Sequence, residues 1–224
     1  MNTSLVTRKI GDWVIRQRIP PGEEPHPILL LLHGWTGDES SMWVFTSRLS
    51  DNFLILSPRG IFPTPLGGFG WHTHGRRSWP SVVDFEPAID ALFNLISAQN
   101  FTTADLSEIH MIGFSQGAAL MYALALEFPK KVGALAGLSG FLPERTEGLV
   151  SKQPLIGKHV FVAHGRMDDL VPVHRARLTV DLFEKAGATV IYCEENVGHK
   201  LSANCFRGMS EFFKDYALGE GEFD

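Results

Sequence analysis

An α/β fold, with a mostly parallel central sheet and helices on both faces, is what the sequence predicts, and three observations predict it. Short apolar runs alternate with longer amphipathic ones along the chain. Most of the short runs are apolar throughout rather than at every second residue, the pattern of strands covered on both faces. No Gly/Ser-rich or charge-rich linker divides the 224 residues, so residues 1–224 are expected to form one domain around a sizeable core.

Taken in order, "LVTRKIGDWVIRQRI" (5–19) sets two alternating runs around a Gly-Asp turn and predicts an antiparallel edge hairpin. Buried strands are expected at "PILLLLHG" (27–34), "FLILSP" (53–58), "IHMIGFS" (109–115), "VGALAGLSG" (132–140), "HVFVAHG" (159–165) and "TVIYCEE" (189–195). In 84–99, Phe85, Ile89, Leu92, Phe93 and Ile96 fall on one helical stripe, with Asp84 as the cap and Pro87 in the first turn. A helix "QGAALMYALALEF" follows Ser115, and Pro172 starts another beside His174. Phe206, Met209, Phe212, Phe213 and Tyr216 repeat at three- and four-residue spacing and predict a terminal helix, followed by a frayed acidic tail "LGEGEFD".

Composition narrows the function. Hydrophobic residues make up 44% and charged residues 20%, the balance of a globular chain rather than a disordered or membrane-spanning one. With a net charge of −5 and no basic run longer than Arg76-Arg77 or Lys130-Lys131, a nucleic-acid partner is not expected. "MNTSLVTRKIGDW" has no apolar signal-peptide core and no stretch suits membrane insertion, so the expected location is cytoplasmic. Cys193 and Cys205 lack CxxC spacing and are expected to be two free, mostly buried thiols. "WHTH" sets His72 and His74 two residues apart with no acidic or cysteine partner nearby, and no metal is expected. Without a G-x-x-x-x-G-K loop, no nucleotide or other cofactor is expected either.

Two segments, 58–81 and 141–157, break the strand-helix rhythm. Both follow a strand, and long loops at the carboxyl edge of such a sheet are where ligands bind. At that edge, "GFSQG" places Ser115 in a G-x-S-x-G pattern between a predicted strand and a predicted helix. So sharp a turn strains the serine and crowds the residues two before and two after it, where Gly113 and Gly117 stand.

A serine hydroxyl needs a histidine to take its proton and a carboxylate to orient that histidine, here in the chain order serine, acid, histidine. "HGRMDDLVP" (164–172) offers Asp168 and Asp169 in one loop, and "NVGHKLS" (196–202) offers His199; His33 and His164 end strands in His-Gly pairs and are read as turn-shaping. The oxyanion would be held by the amide of Gln116 and by that of Trp35, which Gly34 lets turn into the site.

Through "LLLLHGWTGDE", "GFSQGAALMYALA", "GLSGFLP", "HGRMDDLVP" and "GHKLS", the chain resembles the phospholipase/carboxylesterase branch of the α/β-hydrolase superfamily. These are small serine esterases without a large lid domain, and they include acyl-protein thioesterases. The resemblance implies an α/β-hydrolase fold, Ser115 as nucleophile, Asp168 as acid, His199 as base, and Trp35 with Gln116 at the oxyanion. "GGFGWH" (67–72) departs from the Trp-Phe-Asp usual in the thioesterase members, which bears on the substrate rather than the chemistry.

Aromatic and aliphatic residues crowd the expected site loops, and Phe69, Trp71, Met167 and Leu170 are taken as substrate-binding. The expected function is a carboxylesterase acting on a small-molecule ester of small to medium acyl or aryl type, as a monomer or a homodimer. A thioesterase or lysophospholipase is the alternative within the class. A dienelactone-type hydrolase would more naturally carry cysteine at position 115, and a binding domain without catalysis is the alternative outside the class.

Overall fold

The computed structural model describes residues 4–73 and 79–218. Its central strands are built from runs that have no polar face to expose. In β3 (His26–Leu32), Ile28 to Leu32 are all fully buried. Because strand side chains alternate, Ile28, Leu30 and Leu32 enter the core on one face of the sheet and Leu29 and Leu31 the core on the other.

The other strands are β1 (Ser4–Ile10), β2 (Trp13–Ile19), β4 (Leu54–Pro58), β7 (Ala104–Phe114), β8 (Val132–Leu138), β9 (His159–Gly165) and β10 (Thr189–Glu195), with the short pair β5 (Phe62–Pro63) and β6 (Phe69–Gly70) between β4 and β7. The eight-stranded sheet runs β1-β2-β4-β3-β7-β8-β9-β10. From β4 to β10 every neighbouring pair is parallel, while β1 and β2 form the expected antiparallel hairpin and β2 runs antiparallel to β4. The chain steps outward from β3 to β4 and then returns to place β7 on the other side of β3. The strand order therefore reverses between β3 and β7, and the crevice at their carboxyl ends is where such sheets bind ligands.

On one face lie α1 (Glu86–Leu95), α2 (Gln116–Glu127), the short α3 (Glu147–Val150) and α4 (Val173–Lys185). The other face is covered by α5 (Ala203–Ala217) and a 3₁₀ turn at Trp43–Arg48. Every residue of α2 from Gln116 to Leu126 is buried, so this helix is apolar all round and sits in the core rather than on it. Among the described residues no helix is long and apolar enough to cross a membrane.

Several expectations are corrected. Asp84 does not occupy the cap position before α1, which falls on Phe85; Ser81 caps the 3₁₀ turn Val82–Phe85 that leads into the helix, and Asp84 reaches back to accept from the Ser81 N–H and hydroxyl at 2.7 and 2.8 Å. Segment 58–81 is not structureless, since β5 and β6 pair within it. Cys193 and Cys205 are not free: they form a disulfide with Cα atoms 5.7 Å apart, tying β10 to the first turn of α5. That pairing arises from how the last strand and helix meet, which no local spacing announces. The acidic tail from 219 onward, His74 and Arg76-Arg77 lie outside the described residues.

Candidate functional site

Ser115 sits between the end of β7 and the start of α2 with φ +52° and ψ −115°, a backbone conformation that costs about 1–3 kcal/mol for a residue with a side chain. Neighbours hold it there. Its N–H donates to Leu138 O on β8 at 2.9 Å, and its carbonyl accepts from Ala118 and Ala119 at 3.1 and 3.2 Å. The two flanking glycines are sterically required. A Cβ on Gly117 would lie 2.1 Å from Leu32 O, and one on Gly113 would lie 2.6 Å from the backbone of Ala118. The turn thus sets Ser115 at the head of α2, where backbone N–H groups, Gln116's among them, have no partner within the helix and carry partial positive charge.

The loop after β3 packs directly on this turn, with a Cβ on Gly34 falling 3.3 Å from Ser115 Cβ. Buried groups brace it. His33 is fully buried; Gly60 N–H donates to its Nε2 at 2.8 Å, so Nδ1 carries the hydrogen and donates to Gly34 O at 2.7 Å. Burial keeps this imidazole below its ordinary pKa, and so neutral at pH 7. Trp71 donates its indole N–H to His33 O at 2.8 Å and its backbone N–H to Gln116 Oε1 at 2.7 Å. Its ring stacks obliquely on His33, with centroids 5.0 Å apart. The expectation that Trp71 touches substrate is therefore corrected: its side chain is fully buried and acts as a strut between the Trp35 loop and Gln116.

Of the two adjacent aspartates in the loop after β9, Asp169 is exposed and the Asp168 side chain is buried. Asp168 Oδ1 accepts from the N–H groups of Leu170 and Val171 at 3.0 and 2.9 Å. Its Oδ2 lies 2.7 Å from Nδ1 of His199, which leaves Nε2 as the nitrogen available for proton transfer. A second imidazole approaches the same oxygen: His164 Nε2, 3.4 Å away, donates to Val171 O at 2.7 Å, and burial lowers its pKa. The His199 loop is zipped to the Asp168 loop by Arg166 N–H to Glu195 O and Met167 N–H to Val197 O, at 2.8 and 3.0 Å. Gly165 makes the approach feasible, because a Cβ there would come within 2.3 Å of the carbonyls of both Val197 and Gly198. The ring of Phe114, next to Ser115, meets the His199 ring edge-on at 5.0 Å.

A cleft of about 510 Å³ opens beside these groups. Trp35, Met42, Val44, Phe45, Phe114 and Leu201 line it, with Lys200 at its rim. Phe69, Met167 and Leu170 do not line it, although Met167 and Leu170 stand exposed on the Asp168 loop and Phe69 lies under the Arg59 guanidinium. Of this lining, Trp35 was expected at the site from the sequence, whereas Met42, Val44, Phe45, Phe114 and Leu201 were not. The signal available was the aromatic "MWVF" directly after the Gly34 loop.

Comparison with known proteins agrees with the fold. Residues 16–216 match the family described as Phospholipase/Carboxylesterase. A protein named acyl-protein thioesterase 1 from Mycosarcoma maydis is 34% identical over 191 residues, 73% of this chain and 78% of that one. Another of the same name, from Eremothecium gossypii, is 28% identical over 217 residues, covering 88% and 91%. Among solved structures, a Bacillus cereus carboxylesterase superposes with a TM-score of 0.77 at 23% identity, covering 91% of this chain and 93% of that one, a likeness of fold.

Proposed function

This chain belongs to the phospholipase/carboxylesterase family of α/β-hydrolases and is a serine ester hydrolase; we propose that it hydrolyses carboxylic esters of small to medium acyl or aryl type through Ser115, Asp168 and His199. The observation that carries the assignment of residues is the pairing of a buried carboxylate with a half-buried imidazole, 2.7 Å between Asp168 Oδ2 and His199 Nδ1, beside a serine held at positive φ. In the reaction, His199 Nε2 takes the Ser115 proton as Oγ attacks the ester carbonyl. The amides of Trp35 and Gln116 hold the oxyanion. The protonated imidazole then returns its proton to the leaving alcohol, and water, activated by the same nitrogen, cleaves the acyl-enzyme. Asp168 fixes the tautomer that leaves Nε2 able to accept, and it stabilises the imidazolium as it forms. Residues 1–224 act in this account as one catalytic domain.

A thioesterase is the second reading, favoured by the names of the relatives. His72 stands where thioesterase members of the family carry phenylalanine, which weighs against an acyl-protein substrate. Labelling with a fluorophosphonate tests the assignment. The adduct is expected on Ser115 by peptide mass mapping, and labelling of another serine, or none, would overturn it.

A further inference from the structure

The cleft walled by Val44, Phe45, Phe114 and Leu201 has no role in the chemistry above, and its position relative to His199 says which half of an ester it takes. Once Ser115 Oγ has bonded to the carbonyl carbon, that carbon bears three other groups: the oxyanion, the alcohol oxygen and the acyl chain. The oxyanion faces the amides of Trp35 and Gln116. To collapse, the intermediate breaks the bond between carbon and alcohol oxygen while that oxygen takes the proton from His199 Nε2. The alcohol oxygen must therefore lie within hydrogen-bond reach of the imidazole, and whatever it carries must run past the His199 ring.

The cleft is what lies there. Phe114, whose ring meets that of His199 at 5.0 Å, forms one wall, and Leu201, two residues beyond His199, forms another. Across from them stand Trp35 and the 3₁₀ turn bearing Val44 and Phe45. We propose that this cleft is the leaving-group subsite, and that it selects esters of apolar alkyl or aryl alcohols. The proposal rests on the carboxylesterase reading. By the roughly 150 Å³ that a benzene-sized guest needs, the space of about 510 Å³ admits a group of up to about twenty heavy atoms. Lys200 stands exposed at the rim, where its stem can cover apolar surface while its ammonium stays in water.

The test varies one half of the ester at a time. Acetates of primary alcohols from ethanol to octanol have leaving groups of similar intrinsic reactivity, and ethyl esters of the matching acids serve as the second series. Released acid is titrated at constant pH, and kcat/KM is compared because it reports acylation, the step in which the alcohol departs. For the wild type, each methylene added to the alcohol should raise kcat/KM by about two- to fourfold until the cleft is full. Val44→Trp changes a residue that is 67% exposed, so folding is not at stake, and it fills the cleft. It should flatten the acetate series and leave the ethyl esters within about twofold. Leu201→Ala should move the optimum to longer alcohols. A loss confined to the acid series would make the cleft an acyl pocket and overturn the proposal, as would unchanged rates in both. No turnover of either series by the wild type would instead remove the carboxylesterase reading beneath it.

Discussion

Replacing Asp168 by asparagine separates the chemical role of this carboxylate from its structural one. The Oδ1 position accepts two backbone N–H bonds, from Leu170 and Val171, and an amide oxygen can keep both. The amide nitrogen must then stand where Oδ2 was, 2.7 Å from His199 Nδ1 and 3.4 Å from His164 Nε2. Nitrogen there donates, so His199 is driven to the tautomer with hydrogen on Nε2, which cannot accept the Ser115 proton. Loss of the correct tautomer in a serine triad costs about 10⁴-fold in kcat, or about 5 kcal/mol of barrier. The structural cost is smaller: His164 keeps its bond to Val171 O, and the lost attraction to Oδ2 is a long one. Hydrolysis of p-nitrophenyl butyrate by Asp168→Asn should therefore fall by about 10⁴-fold, with an unchanged circular dichroism spectrum. Asp169→Asn, at an exposed position in the same loop, should retain activity within about twofold. A fall of less than about tenfold in Asp168→Asn, or an equal fall in both variants, would refute the assignment.

Gly117→Ala puts a methyl carbon 2.1 Å from Leu32 O, with backbone on both sides, so α2 must shift from β3; a loss of about 10²-fold or more in kcat is expected as the Gln116 amide moves, and an unchanged kcat contradicts it. Burial holds the imidazoles of His33, His110 and His164 below their ordinary value of 6.5, so the unfolded chain binds protons more readily. The stability they contribute is complete above about pH 6.5 and is lost as pH falls through their folded values. The thermal midpoint should accordingly be level from about pH 8 to about pH 7 and fall from about pH 6.5 to about pH 5; a level profile throughout would count against it. Cys205→Ala opens a 12-residue loop, which costs about 3 kcal/mol and lowers the midpoint by roughly 6–12 °C. Because backbone bonds still join the His199 loop to the Asp168 loop, kcat/KM should stay within about threefold, and a collapse of activity at temperatures where the variant is folded would show that the disulfide positions His199.

The elements most legible in the sequence were those whose environment is uniform. β9 and β10 match the expected 159–165 and 189–195 because their ends are set by neighbouring turns. β7 starts five residues earlier than expected, since its first half is polar and half-exposed and carries no buried-strand signal. The turn at Ser115 was legible because its constraint is local: two glycines are demanded by backbone lying within 2.6 Å of where their Cβ atoms would be. Which aspartate meets His199 was not legible from the loop itself, because Asp168 and Asp169 differ only in how the amides of Leu170 and Val171 capture one of them. Trp71 misled for a related reason. A tryptophan in a glycine-rich loop looks the same as a pocket wall or as a strut, and only the partners of its N–H groups tell the two apart. The disulfide was hidden because it depends on how β10 and α5 meet, and the cleft because it joins distant parts of the chain, Val44 and Leu201 among them.

Whether Ser115 is the nucleophile is decided by the hydrolysis of p-nitrophenyl esters from acetate to palmitate by the wild type beside Ser115→Ala. Turnover by the wild type is expected, with an optimum at short to medium acyl length, and a loss of about 10⁴-fold or more in the variant while its fold is retained. Rates within about tenfold of each other in the two proteins would contradict it, because the ester would then be cleaved without the hydroxyl on which the mechanism depends.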